Sequence, residues 1–187
     1  MTPSGASRTR PGPSFDLLDG RTVAYAKAAA VGAGASAALT DEKGRDLGID
    51  GSFWTGSSAA GKASGLDCKG WRSASLFEEG SIASRFGDSE YDMACERPHH
   101  LLCLEQKGAA PVPVTKRVFV TSERVTGAFG ETRSPIAVAD EACAAAAKDA
   151  GLSGKFVAWL SARVGGEFVR APDRIADARY SLLDGRV

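Results

Sequence analysis

Asparagine is missing from this 187-residue chain, histidine occurs only twice, and no apolar run approaches the length of a membrane span. Each shortage closes a class of function. Calcium is held by clustered carboxylate and amide oxygens, and here the Asn amide is not available. Crossing a bilayer as a helix takes about 20 consecutive apolar residues; the longest low-polarity stretch, Ala28–Leu39, is short and rich in Gly, Ala and Ser. Residues 1–13 hold two Arg and three Pro with no hydrophobic segment, so they read as a disordered tail and not as a secretory signal. Surplus charge is missing as well, with 23 Lys+Arg against 23 Asp+Glu. A sequence-independent grip on nucleic acid needs excess cations facing phosphates. Even the stretch from Lys155 to Val187, with six basic and four acidic residues, alternates in sign and reads as a solvated mixed surface.

The cysteines are few but even in number: Cys68, Cys95, Cys103 and Cys143. None forms a C-x-x-C pair, which weighs against a zinc ribbon or a thioredoxin-type site. An even count suits disulfides, and spacing alone leaves all three pairings open.

With 43% hydrophobic residues, the chain has enough apolar material for one real core. Two blocks are visible, residues 14–105 and 116–187. Between them lies Gln106–Thr115, where two prolines alternate with valines; proline cannot donate to a sheet ladder, so this is an extended linker. In the first block, Phe53–Gly56 reads as a short buried strand ending in a turn, Asp41–Asp50 as turn-rich, and His99–Glu105 as a strand. In the second, Arg117–Ser122 alternates like a strand. Asp140–Ala150 is Ala-rich and reads as a helix ended by Gly151, with Asp140 near its start where an acid helps. Phe156–Ser161 is a further apolar run, and Pro172 suits the first turn of a short helix. Trp54, Trp71, Phe119, Phe156 and Trp159 are the expected core anchors. The string Leu-Leu-Asp-Gly-Arg occurs at 17–21 and again at 182–186, about one domain length apart.

Several strings carry a family resemblance. In the second block they are Ala139-Asp140-Glu141-Ala142-Cys143 and the run Ala150-Gly151-Leu152-Ser153-Gly154-Lys155-Phe156-Val157-Ala158-Trp159-Leu160-Ser161, followed by Arg170–Arg174. In the first they are Phe53-Trp54-Thr55-Gly56, Cys68-Lys69-Gly70-Trp71, and Cys95 followed by His99–Glu105. The second block resembles the N-terminal half of an endostatin-like domain, and the first resembles its C-terminal half. A bacterial family of uncharacterised domains shares the opening, with a strand like Phe119–Ser122. The order is swapped relative to the family, and the His pair lies nearer its second Cys. Two accounts stay open. The chain is a circular permutant, with 106–115 joining the old termini, or it spans the boundary of a tandem array. The first is favoured because both halves can close one core; the duplicated end string favours the second.

The resemblance implies an α+β, C-type-lectin-like (endostatin-like) fold: a short antiparallel sheet, one or two helices and long loops, as a single domain over 14–187. It implies the disulfides Cys68–Cys95 and Cys103–Cys143. For the permutant, strand His99–Glu105 lies antiparallel to Arg117–Ser122. Its functional implication is a non-enzymatic binding or adhesion module of an exported or cell-surface protein, with an unidentified protein or glycan as ligand.

Chemical motifs point the same way. Gly56–Ser64 has the Gly-x4-Gly-Lys of a phosphate loop, but Ala63 stands where a Mg²⁺-binding hydroxyl is needed. His99 and His100, flanked by Cys95 and Cys103, suggest a metal site or a Cys–His nucleophile. Disulfides would remove the thiolate either role requires, and neighbouring strand residues face opposite ways. The chain has neither the Glu-Pro-Asn nor the Gln-Pro-Asp triplet of sugar-binding lectins, and no His-rich N-terminus or basic cluster like those behind zinc and heparin binding in animal relatives. No catalytic residue, cofactor or metal ligand is therefore assigned. The alternatives are an enzyme, since formylglycine-generating enzymes use a related fold with an exposed reactive cysteine pair, and a structural fragment of a repeat protein.

Overall fold

The computed structural model describes residues 40–48, 51–58, 62–83, 91–106, 116–175 and 180–182. The N-terminal tail, the first Leu-Leu-Asp-Gly-Arg string, nearly all of the second and most of the linker lie outside the described residues.

The architecture is α+β. In chain order the elements are β1 (Phe53–Trp54), α1 (Cys68–Trp71), β2 (Glu79–Ala83), β3 (Tyr91–Ala94), β4 (His100–Glu105), β5 (Lys116–Val120), α2 (Pro135–Asp149), β6 (Phe156–Ala158), β7 (Ala162–Val164), β8 (Glu167–Val169), α3 (Ala171–Arg174) and β9 (Tyr180–Leu182). Seven strands form one sheet in the order β3-β2-β1-β4-β5-β9, with β6 also pairing β4; β7 and β8 make a separate hairpin.

The sheet corrects one expectation, for it is mixed and not purely antiparallel. β1 runs parallel to β4 and β5 parallel to β9. The reason is connectivity: β2 and β3 intervene before the chain reaches β4, and a connection that long allows parallel entry. The expected β4–β5 pair is antiparallel, with Leu102 opposite Val120, Cys103 opposite Phe119 and Leu104 opposite Val118. β6 takes the other edge, placing Cys103 opposite Ala158 and Leu104 opposite Val157.

Period-two alternation sorts these strands into two cores. Leu102, Leu104, Val118 and Val120 face one side with Phe53 and Trp159. Leu101, Cys103 and Phe119 face the other, with Trp54, Trp71, Phe156, Leu160 and the buried stripe Ala139, Cys143 and Ala147 of α2. Small residues on that stripe let the helix lie close against the sheet. All five expected aromatic anchors are at most 2% exposed.

α2 begins at Pro135, five residues before Asp140, because Pro is already shaped for a first helical turn. Asp140 consequently lies inside the helix and is no cap. Its carboxylate accepts from the Ala158 amide at 2.9 Å and from the Arg174 guanidinium at 2.5–2.6 Å, and Arg174 also donates to the Ala158 carbonyl. This one side chain fastens helix, β6 and α3 together.

Both disulfides are present as the resemblance implies, Cys68–Cys95 and Cys103–Cys143, with Cα separations of 5.7 and 5.5 Å. They close chain separations of 27 and 40 residues, for which loop entropy gives about 3.5–4 kcal/mol each.

Trp159 has its indole in the first core and its amide bonded to the Leu102 carbonyl at 2.7 Å. Trp159→Ala is expected to lower unfolding free energy by about 3–5 kcal/mol through the cavity it leaves. Urea titration of oxidised protein checks this, and a loss below about 1 kcal/mol would show that the indole is not a core group.

Candidate functional site

The chain does something unusual at Cys68-Lys69-Gly70-Trp71. All four residues have positive φ, at 50°, 57°, 71° and 62°, so α1 is a left-handed turn. Three of them carry side chains, and left-handed backbone costs such residues about 1–2 kcal/mol each. The surroundings compensate. Asp67 accepts from the Gly70 amide at 2.9 Å, Cys68 is bonded to Cys95, and the Trp71 indole is fully buried and donates to the Ser161 carbonyl at 2.9 Å. Trp71 stacks on Phe129 at 5.3 Å and meets Trp54 edge-on at 5.4 Å. Two glycines make the room: a Cβ on Gly127 would sit 2.3 Å from the Cys68 sulfur, and one on Gly80 would sit 2.7 Å from it.

This turn launches the loop Arg72–Glu78. The amides of Arg72 and Ser73 bond the Cys68 carbonyl, and at the far end the Glu78 carbonyl accepts from Cys95. The loop is braced internally as well. Ser73 and Ser75 hydroxyls accept from the Ser75 and Phe77 amides, and the Ser75 carbonyl accepts from Glu78. Lys69 pairs with Glu78 at 2.6 Å across the loop base. At the tip stand Leu76, 56% exposed, and Phe77, 91% exposed, the large exposed apolar side chains among the described residues. Both ends of the loop are thus tied to one disulfide, and its apolar tip points to solvent.

Nothing in the sequence reading marked Leu76-Phe77 as a site. An apolar pair is read as core by default. The available signal was its setting, with alternating serines before it and two glutamates after it, in a segment without strand or helix periodicity.

The histidines take separate partners. The His99 ring lies edge-on to Trp54 at 4.7 Å, with Nδ1 2.8 Å from the Ser52 hydroxyl. His100 accepts from Arg124 through Nε2 at 3.0 Å, so its proton sits on Nδ1 and is donated to the Thr121 carbonyl. Both rings are buried, His100 bonded through both nitrogens and His99 through Nδ1 alone, and they take separate partners. Among the described residues no group of three or more His, Cys, Asp or Glu is placed to hold a metal.

In the phosphate-loop-like segment Ser57 is bridged antiparallel to Ala63, and the Ser58 amide donates to the Lys62 carbonyl at 2.7 Å. Residues 59–61 lie outside the described residues. The turn that follows is left-handed α1, which lacks the stacked amides of a right-handed helix N-terminus that would face a phosphate. All four cysteines are in disulfides and buried, so none is available as a thiolate.

No protein-family model, curated protein or solved structure matches this chain.

Burial against Trp54 pushes the His99 pKa down to about 4, helped by the nearby charges of Arg124 and Arg97. The depressed value means the unfolded chain binds the proton more readily. His99 therefore contributes full stability above pH 6.5, and that contribution declines as pH falls from 6.5 to about 4. The loss should total about 2 kcal/mol once solvent screening is allowed for. In an NMR titration the His99 ring resonance should move with a midpoint near 4; a midpoint near 6.5 would show the ring to be solvated.

Proposed function

We propose that this chain is a non-enzymatic binding or adhesion module that presents Leu76 and Phe77 to a macromolecular ligand, as part of an exported or cell-surface protein. The braced loop carries this reading. The loop that carries Phe77, 91% exposed, has its backbone held before binding by a disulfide, a buried Trp and three internal hydrogen bonds. Binding then loses little conformational entropy. Aromatic side chains are enriched at protein interfaces, and burying one Phe contributes about 1.5–3 kcal/mol.

The proposed fold is a C-type-lectin-like, endostatin-like domain with its halves in permuted order. Its support is that β4 of the first block pairs β5 and β6 of the second, and that Cys103 of the first bonds Cys143 of the second. One sheet built from both blocks is what a permutant requires; two incomplete units of an array would not need it. Two disulfides fit an oxidising compartment, which supports the extracellular assignment. The engagement of every cysteine in a bond also favours a binding role over the formylglycine-type alternative, which needs reactive thiols.

The test is a glycan and matrix-protein array probed with oxidised wild type, Phe77→Ser and Leu76→Ser. Both substitutions are at exposed positions and should change stability by less than about 0.5 kcal/mol. Wild type should bind a defined ligand, and Phe77→Ser should weaken that binding at least about tenfold at unchanged Tm. Equal binding by the variants would remove the loop from the account, and no ligand across the array would count against the module itself.

A further inference from the structure

On a different part of the molecule, a cleft of about 190 Å³ lies between α2 and the segment after β5. Its apolar lining includes Leu101, Val125 and the alanines 142, 145 and 146 of α2. Those alanines and Asp149 are spaced i, i+3, i+4 and i+7, so they form one helix face. The charged lining is Glu42, Glu123, Asp149 and Lys43, three carboxylates against one ammonium.

The wall opposite the helix is rigid. Thr121 has its carbonyl on the His100 ring, its hydroxyl donating to the Glu123 carbonyl at 2.7 Å and accepting from the Leu101 amide at 3.0 Å. Ser122 donates from amide and hydroxyl to the two oxygens of Glu42 at 2.7 and 2.5 Å. Val125 exchanges backbone hydrogen bonds with His99 at 2.8 and 3.0 Å. Glu42 is only 5% exposed, so a carboxylate is built into this wall. Glu123 and Asp149, by contrast, form no ion pair with a described residue.

We infer that this cleft is a receptor for one cationic alkyl group, a guanidinium or primary ammonium on a short aliphatic stem. Size sets the first limit: a dry apolar cavity of about 150 Å³ takes benzene, so this cleft holds a body the size of one long side chain. The apolar lining suits the stem, because long cationic side chains lay their methylenes on apolar surface and keep the charge at the edge. The acidic excess selects the head group. An anion would be repelled by Glu42, Glu123 and Asp149 together, whereas a neutral chain of the same length would gain nothing from Glu123 and Asp149; Glu42, whose oxygens already accept from Ser122, adds its negative charge. A guanidinium offers five donors in a planar fork suited to carboxylates. The same chemistry has two sources, a free small amine or a basic side chain displayed by a protein.

The experiment is an amide-resolved NMR titration of the 187-residue chain with both disulfides formed. The probes are agmatine, the peptide acetyl-Gly-Arg-Gly-amide and its citrulline counterpart, which has the arginine shape without the charge. Agmatine or the arginine peptide should shift the amides of Leu101, Val125, Ala142 and Ala146 in a saturable way, and the citrulline peptide should not. Tighter binding of the peptide identifies a protein side chain as the source; tighter binding of agmatine identifies a free amine. Glu123→Gln combined with Asp149→Asn should weaken binding at least about tenfold. Ala145→Leu, at an exposed helix position, should fill the cleft and abolish the shifts while leaving the spectrum of the fold intact. Absence of saturable shifts with either cation up to about 10 mM, equal binding of the citrulline peptide, or unaltered binding in Ala145→Leu would each overturn the inference.

Discussion

Cys103 stands where three parts of the chain meet. Phe119 of β5 lies opposite it on one side, Ala158 of β6 on the other, and its sulfur is bonded to Cys143 of α2. The N-terminal end of the same strand, His100 and Leu101, pairs with β1. Strand β4 is therefore the seam along which the two halves of the chain become one sheet. It is buried for its first five residues, as a strand covered on both faces must be. Without that seam the first half would expose β1 and β4 as open edges, the situation that invites pairing with other chains.

A second device depends on the first. The second core receives Leu101 and Cys103 from the seam, and also Trp54, Trp71 and the Cys68–Cys95 disulfide. That packing is what keeps the left-handed turn Cys68–Trp71 in place, and the turn in turn fixes the loop bearing Leu76 and Phe77. The backbone geometry at the turn is costly, and the surrounding contacts hold it there; strained segments of this kind cluster where proteins bind ligands. The cleft beside α2 draws on the same seam through Leu101, whose amide bonds Thr121.

The sequence made visible whatever depends on local periodicity or on side-chain size. Alternation in residues 117–122 and the apolar run in 99–105 gave two strands, and the large aromatics gave the core. The cysteine pairs were legible through family resemblance, since spacing alone allowed three pairings. Other features were hidden for physical reasons. Lys69, Cys68 and Trp71 have no intrinsic preference for positive φ, so nothing local announces a left-handed turn. Parallel pairing of β1 with β4 is set by distant chain segments. The α2 start was misplaced because Ala composition outweighed the Pro135 signal, and Asp140 proved to serve Arg174 and not the helix end. Leu76 and Phe77 went unmarked because exposure is a property of the fold, and the cleft collects residues from four separate stretches that no linear pattern connects.

The central claim is that both halves close one core within one chain, sealed by Cys103–Cys143. Proteolysis of the oxidised monomer without reduction, followed by mass spectrometry, tests it most directly. The account predicts a peptide pair joining Cys103 to Cys143 and another joining Cys68 to Cys95, both within a single chain. A Cys95–Cys103 linkage, or a Cys103–Cys143 bond found only between chains in a dimer, would contradict it.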